Sequence, residues 1–198
     1  MSPTRTAKAS ARTKRAQKAA GPKGRGRAGD VVSVKSSAMP ETLPDARDLR
    51  VAIVVSRFNP SITYALRDGA RSALTTAGAA AGAIEVFEVP GAFEIPFAAK
   101  VVATGGEFDA VVCLGCLIRG ATPHFEYIAS AVSHGITAAA ADTGVPMAFG
   151  VLTVNTDAEA LERAAPDRTN KGWEAAVAAI EMARFTRRLA AARQEDLA

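Results

Sequence analysis

The segment LGCLIRGATPHFEY (114–127) places several chemically useful residue types at one junction between an apolar run and a helical pattern. Gly120 permits a tight turn, Thr122 suits a helix N-cap and Pro123 suits the first helical position. This geometry leaves unpaired main-chain N–H groups at the positive end of a helix, where they can hold a phosphate. The segment therefore predicts an anion-binding turn, although an ordinary helix start with a solvated Arg119 explains it about as well.

His124 follows directly, in the first turn of the predicted helix. An imidazole beside a bound phosphate can move protons at neutral pH. A lone histidine is more often structural, so its neighbours must support this role. His134 lies further along the same helix, and we interpret it as structural.

The elements that would position these residues alternate regularly along the chain. Apolar runs predict four buried strands at 51–56, 84–89, 109–115 and 147–152. Helical spacing and Gly/Pro stop signals predict helices at 62–77, 93–103, 123–141, 157–165 and 171–193. Strands that are apolar throughout and alternate with helices are typical of a parallel sheet covered on both faces. We therefore predict an α/β fold with a single doubly wound, flavodoxin-like sheet of four parallel strands.

Unusual residues occur at the carboxyl ends of these strands, where ligands bind in open α/β sheets. SRFNP (56–60) and VPGAFEIP (89–96) follow the first two strands, and the fourth runs through Phe149. Phe58, Phe93 and Phe149 could stack on a flat heterocycle, although core packing explains each one singly. Arg163 and Lys171 are further candidate partners for an anion.

Cys113 and Cys116 form a C-x-x-C pattern, which can indicate redox or metal chemistry. Their position in a predicted strand puts the two Cα atoms about 10 Å apart, beyond disulfide reach. The only two histidines of the chain are not at zinc-site spacing from them. We interpret the pair as small buried core residues and predict no metal.

The charge of the chain is divided between two parts. Residues 1–50 hold 12 Lys/Arg and 4 Asp/Glu, whereas residues 51–198 hold 12 Lys/Arg and 16 Asp/Glu. We predict a basic, disordered extension over 1–49 and an α/β domain over 50–198. A short edge strand at 31–36 is a further expectation. We interpret the extension as a solvated tail. An organellar transit peptide and an arm that contacts nucleic acid are the alternatives.

The sequence has no apolar stretch of the roughly 18–20 residues needed to span a bilayer. It also lacks a disulfide framework, which fits a reducing compartment. These features predict a soluble, cytoplasmic protein with no membrane contact.

Five segments, in order and at matching separations, resemble the 6,7-dimethyl-8-ribityllumazine synthase family. They are RFNPSIT (57–63), VPGAFEIP (89–96), LGCLIRGATPHFEY (114–127), FGVLT (149–153) and ERAAPDRTNKGWEAA (162–176). The resemblance covers nearly all of residues 50–190. It implies a transferase of riboflavin biosynthesis that condenses 5-amino-6-(D-ribitylamino)uracil with 3,4-dihydroxy-2-butanone 4-phosphate. The implied products are 6,7-dimethyl-8-ribityllumazine, phosphate and water, and no cofactor is implied.

The resemblance also implies residue roles. His124 matches the proton carrier, Phe58 the ring that stacks on the pyrimidine, and Arg163 the arginine that pairs with phosphate. The full implied set for substrate binding is Phe58, Ala92, Phe93, Glu94, Cys116, Leu117, Ile118, Ala121, Thr122, Phe149, Arg163 and Lys171. Leu117 departs from the family, which usually has valine there.

Family sites lie between the subunits of a pentamer, so Phe149 and Arg163 would come from a neighbouring subunit. The implied partners are small-molecule substrates and further copies of the chain, as pentamers, paired pentamers or shells. Riboflavin synthase is a candidate partner, and nucleic acid is one for the basic extension. Two alternative functions stay open: a non-catalytic flavin- or lumazine-binding protein, and a shell-forming scaffold whose extension contacts nucleic acid.

Overall fold

The computed structural model describes residues 42–196. Most of the predicted extension, including the edge strand expected at 31–36, lies outside the described residues. Residues 42–49 are described, although the sequence prediction placed them in the extension. Ala46 and Leu49 are fully buried in the core, and the Arg184 guanidinium donates to the carbonyl oxygen of Asp45 at 2.7 Å. The packed body therefore begins before residue 46.

In the described part of the chain, the sheet is parallel throughout and has four strands in the order β2-β1-β3-β4. This is the strand order of the flavodoxin-like fold, and the fold prediction is confirmed. The strands are β1 (Val51–Ser56), β2 (Ile84–Val89), β3 (Ala110–Ile118) and β4 (Met147–Val154).

Within residues 42–196, five α-helices connect and cover the strands. They are α1 (Pro60–Thr76), α2 (Ile95–Thr104), α3 (His124–Thr143), α4 (Asp157–Arg163) and α5 (Lys171–Glu195). Two short 3₁₀ turns, Ala81–Ala83 and Ala92–Glu94, precede β2 and α2.

The alternation of side chains along each strand divides the core into two layers. Val51, Ile53 and Val55 of β1 face the layer that includes α1 and α5. Ala52 and Val54 face the other layer, which includes α2 and α3. All six residues of β1 are buried, as expected for an interior strand of a parallel sheet that is covered on both faces.

The predicted and observed strand ends differ at the functional edge of the sheet. β3 continues to Ile118 and β4 to Val154, because these two strands stay paired in register through Ile118 and Val154. The predicted ends at 115 and 152 were too early. The helix prediction at 93 was also early, because Ala92–Glu94 forms a 3₁₀ turn before α2.

The start of α5 is fixed by close packing against α1. A Cβ on Gly172 would lie 1.9 Å from the Leu66 carbonyl oxygen. The buried Asn170 side chain caps α5 by accepting from the Gly172 N–H at 2.8 Å. It also donates to the Ala65 carbonyl oxygen of α1 at 3.2 Å. This contact holds the α4–α5 connection, and thus the start of α5, against α1.

Within residues 42–196, no helix is both long and apolar enough to cross a lipid bilayer.

Candidate active site

A cavity of about 490 Å³ lies beyond the carboxyl ends of β1 and β3, against the start of α3. This is the edge where ligands bind in open α/β sheets. Its lining residues are Phe58, Asn59, Gly91, Ala92, Phe93, Cys116, Leu117, Ile118, Gly120, Thr122, His124, Phe125, Ile128 and Asp157. The turns after β1, β2 and β3 therefore all contribute to one cavity.

Most of the residues predicted for the site meet in this cavity. Eight of them line it: Phe58, Ala92, Phe93, Cys116, Leu117, Ile118, Thr122 and His124. Glu94 and Ala121 are sequence neighbours of lining residues but do not line it themselves.

Phe58 and Phe93 supply the aromatic surface of the cavity. Their side chains are 67% and 58% exposed, respectively. Core packing, the ordinary explanation for each ring, therefore does not hold for this chain taken alone. The main-chain N–H of Phe58 donates to Ser56 Oγ at 3.0 Å, which fixes the backbone that carries the ring.

The turn after β2 brings Glu94 close to Gly91. A Cβ on Gly91 would lie 3.0 Å from Glu94 Oε2. A larger residue at 91 would therefore crowd this carboxylate.

The turn between β3 and α3 has free hydrogen-bond donors. Among the described residues, no acceptor partners the main-chain N–H groups of Gly120, Ala121 and Thr122. These donors lie just before the amino end of α3, whose dipole favours an anion. The geometry therefore fits the predicted anion-binding turn.

The prediction that Thr122 caps α3 was wrong. The helix begins at His124 with Pro123 as its N-cap residue, and no side chain of the described residues makes a capping hydrogen bond there. The Thr122 hydroxyl is therefore not used in the helix cap. Gly120 also has ordinary backbone geometry, since it is not among the glycines with positive φ, and a Cβ there would meet no atom within 4 Å.

Arg119 is committed to other groups. Its guanidinium pairs with the Glu126 carboxylate, donates to Asn155 Oδ1 at 3.1 Å and lies 4.6 Å from the centroid of the Phe125 ring. The pKa of Glu126 lies below its ordinary value, because its carboxylate accepts from its own main-chain N–H and from Arg119. These contacts of Arg119 stabilise the start of α3.

The two histidines differ in their surroundings. Neither ring nitrogen of His124 has a hydrogen-bond partner within residues 42–196, and the side chain lines the cavity. His134 Nδ1 lies 2.8 Å from the Ser130 carbonyl oxygen, within the same helix. His124 is therefore the histidine whose ring is available to a ligand.

Three predicted residues lie away from this cavity in the single chain. Phe149 lies near the amino end of β4, level with Cys113, so its placement at a strand end was wrong. Arg163 Nη1 donates to the Glu159 carbonyl oxygen at 3.0 Å. Lys171 Nζ donates to the Glu174 carboxylate at 2.7 Å.

The two cysteines lie on opposite faces of β3. Cys113 belongs to the core layer with α2 and α3, and Cys116 to the layer with α1 and α5. They therefore cannot form a disulfide with each other. Burial raises the pKa of the Cys113 thiol to about 12. Burial, with a contribution from the Asp157 carboxylate, raises that of Cys116 to about 11.

Sequence reasoning missed five lining residues: Asn59, Gly91, Phe125, Ile128 and Asp157. Asn59 and Gly91 lie inside segments that were singled out, and their positions after β1 and β2 could have been used. Asp157 lies at the start of α4, where the Thr156 side chain accepts from the Glu159 N–H as a cap. The apolar Phe125 and Ile128 had no such signal.

Comparison with known proteins identifies the family to which the chain belongs. The family model for 6,7-dimethyl-8-ribityllumazine synthase matches residues 48–187. The chain belongs to this family. A 6,7-dimethyl-8-ribityllumazine synthase of Syntrophus aciditrophicus (strain SB) is 54% identical over 144 residues, which cover 73% of this chain and 94% of that protein. The family match includes all the predicted site residues and leaves residues 1–47 outside it.

Proposed function

We infer that the chain is a lumazine synthase, a transferase of riboflavin biosynthesis. It condenses 5-amino-6-(D-ribitylamino)uracil with 3,4-dihydroxy-2-butanone 4-phosphate and releases 6,7-dimethyl-8-ribityllumazine, phosphate and water. The observation that carries this conclusion is the family match over residues 48–187. The cavity supports it, because eight of the residues implied for this reaction line one space.

Each wall of the cavity suits a different part of the reactants. The exposed ring of Phe58 provides a face on which a pyrimidine can stack. The free N–H groups of residues 120–122 suit the phosphate of the four-carbon substrate. His124 lies next to this turn, where it can exchange protons with a reacting amine or a leaving phosphate.

The chemistry then proceeds in three steps. The amine attacks the butanone carbonyl and loses water to form an imine. Elimination of phosphate then leaves an enol, which tautomerises to a new carbonyl on the neighbouring carbon. The second amine adds to this carbonyl and loses a second water, which closes the ring. Both reactants are intrinsically reactive, so orientation in one cavity supplies much of the acceleration. His124 carries protons during imine formation and elimination.

The reaction is tested by its product stoichiometry. Purified protein is mixed with both substrates, and lumazine absorbance and free phosphate are measured together. We expect one phosphate for each lumazine, formed faster than in the absence of protein. Riboflavin binding without product formation would instead support the non-catalytic binding protein.

We further propose that Phe149 and Arg163 act in the cavity of a neighbouring subunit of a homopentamer, and that Lys171 lies near this shared site. Two facts support this: all three lie outside the cavity of their own chain, and Phe149 is 47% exposed. Exposed rings on an edge strand are available to another subunit. We also propose a cytoplasmic location and a contact with riboflavin synthase. The two free thiols favour the cytoplasmic location, because thiols stay reduced there.

Subunit mixing tests the shared site. His124→Ala and Arg163→Ala proteins are unfolded together and reassembled in equal amounts. If each site takes one residue from each of two adjacent subunits, about one quarter of the sites regain both wild-type residues. Activity should rise well above that of either variant reassembled alone. If both residues serve the same chain's site, mixing will give only the average of the two variants.

A further inference from the structure

One side of the β3 backbone has no strand partner at the floor of the cavity. The pairing of β1 with β3 ends at Val55 and Leu114. The pairing of β3 with β4 continues to Ile118 and Val154. Main-chain groups of β3 that face β1 beyond Leu114 therefore need another partner.

Asn59 provides that partner for Cys116. Its side-chain Nδ2 donates to the Cys116 carbonyl oxygen at 3.1 Å, across 57 residues of sequence. The amide thus substitutes for the ladder hydrogen bond that β1 no longer supplies. It ties the turn after β1 to the part of β3 that lines the cavity.

The backbone of Asn59 is also unusual. It adopts the left-handed conformation, with φ 58° and ψ 55°. Within residues 42–196, Asp48 is the only other non-glycine residue with a positive φ. Asparagine tolerates this conformation better than most residues, but it still costs free energy. A side-chain hydrogen bond in the cavity wall offsets such a cost.

The same residue anchors the helix that follows. Its carbonyl oxygen accepts from the main-chain N–H groups of Ile62 and Thr63, each at 3.0 Å. Phe58 immediately precedes it, and the Phe58 N–H is held by Ser56 Oγ. The exposed Phe58 ring is therefore carried on a turn that is fixed on both sides.

We propose that Asn59 is a positioning residue for the pyrimidine substrate. It holds the Phe58 ring at a fixed separation from the Leu117–Ile118 backbone, so that a flat heterocycle fits between them. This inference rests on the proposed function. The four-carbon phosphate would bind at residues 120–122, which make no hydrogen bond with Asn59.

Two variants separate the side-chain contact from the backbone conformation. Asn59→Gly keeps the left-handed turn and removes the amide. Asn59→Asp keeps the shape but places a carboxylate oxygen against the Cys116 carbonyl oxygen. Asp48→Gly is the matched control, because it introduces glycine at the other left-handed position, outside the cavity lining.

We expect both Asn59 variants to raise the KM for the pyrimidine about five- to tenfold, or about 1–1.4 kcal/mol. The KM for the butanone phosphate and kcat should stay within about twofold to threefold, as should all constants of Asp48→Gly. An unchanged pyrimidine KM, an equal rise in both KM values, or a fall in kcat alone would each overturn the proposal. If Asn59→Gly fails to assemble, the kinetic constants of Asn59→Asp decide between these outcomes.

Amide hydrogen exchange of the assembled protein provides a readout that needs no turnover. In Asn59→Gly, peptides covering residues 57–60 and 115–119 should exchange faster than in the wild type and in Asp48→Gly. Unchanged exchange in these peptides would show that the Asn59–Cys116 hydrogen bond does not stabilise this region. A wild-type protein without activity would reject the proposed function instead, so the two failures can be told apart.

Discussion

At the residue scale, the two histidines of α3 lie in different surroundings. His124 lines the cavity, whereas the His134 ring lies against the Ser130 carbonyl oxygen of its own helix. Both belong to α3. They therefore form a matched pair for testing the proton-transfer role.

His124→Ala should lower kcat by about 10- to 100-fold, at or below the low end for general acid–base catalysis, because both reactants are already reactive. His134→Ala should retain kcat within about twofold. Steady-state kinetics with both substrates saturating measures this. Equal activity of the two variants would remove His124 from proton transfer while leaving the cavity assignment intact.

Individual residues also show the limits of sequence reasoning. The aromatic residues Phe58 and Phe93 were identified because their type and position after a strand are local signals. The structural role of Asn59 could not be predicted, because its hydrogen bond joins residues 57 positions apart. Thr122 has a good capping residue type, but the structure places Pro123 at the N-cap. Propensity alone does not decide between two adjacent candidates.

At the element scale, buried strands were the most predictable parts of the chain. β1 and β2 have the predicted bounds, because apolar runs between turn residues are strong local signals. β3 and β4 run further than predicted, since each extends the other by pairing through Ile118 and Val154. Such mutual extension depends on a partner strand, which local sequence does not reveal.

The packing of α5 on α1 gives a stability prediction. Gly172→Ala would put a Cβ 1.9 Å from the Leu66 carbonyl oxygen, and backbone cannot move aside as a flexible side chain can. We expect a loss of about 3 kcal/mol in the free energy of unfolding. Urea unfolding at fixed protein concentration measures it.

Gly82→Ala is the control for this prediction. A Cβ there would meet no atom within 4 Å, and Gly82 is not among the glycines with positive φ. Its free energy of unfolding should stay within about 0.5 kcal/mol of the wild type. A comparable loss in both variants would show that the α1–α5 contact is not the cause.

The buried thiols of β3 predict a pH dependence of stability. The ordinary thiol pKa is 9.0, and burial raises it to about 12 for Cys113 and about 11 for Cys116. The contribution of the two thiols to the free energy of unfolding is fully present below pH 9. It is lost as pH rises towards 11–12, because the unfolded chain releases protons that the folded chain retains.

In this pH window, each thiol should make the free energy of unfolding fall by up to about 1.4 kcal/mol per pH unit. Cys113→Ala removes one of the two and leaves the other titrating groups in place. Urea unfolding between pH 8 and 11 should show a shallower decline for this variant. Identical slopes would mean that the Cys113 thiol does not resist ionisation in the folded state.

At the scale of the whole molecule, the charge division separates the extension from the body. Residues 1–50 carry a net charge of +8 and residues 51–198 a net charge of −4. The family match begins at residue 48, so this charge lies almost entirely outside the part shared with the family. The sequence predicts the division, but the role of the extension stays a proposal.

If the extension is an arm that contacts nucleic acid, two forms of the protein should differ in a salt-dependent way. The full chain should bind single-stranded RNA more tightly than a form that begins at residue 42, and the difference should shrink as salt rises. Fluorescence anisotropy at two salt concentrations measures it. Light scattering on both forms serves as the control, since both should assemble from pentamers. Equal RNA binding by the two forms would show that the extension does not contact nucleic acid.

The most direct test of the account is the initial rate of lumazine formation from the two substrates. Absorbance is followed with wild-type protein and, at the same substrate concentrations, without protein. We predict a rate proportional to protein concentration and well above the uncatalysed rate. A rate no higher than the uncatalysed one, from correctly assembled protein, would contradict the assignment of the cavity as a lumazine synthase active site.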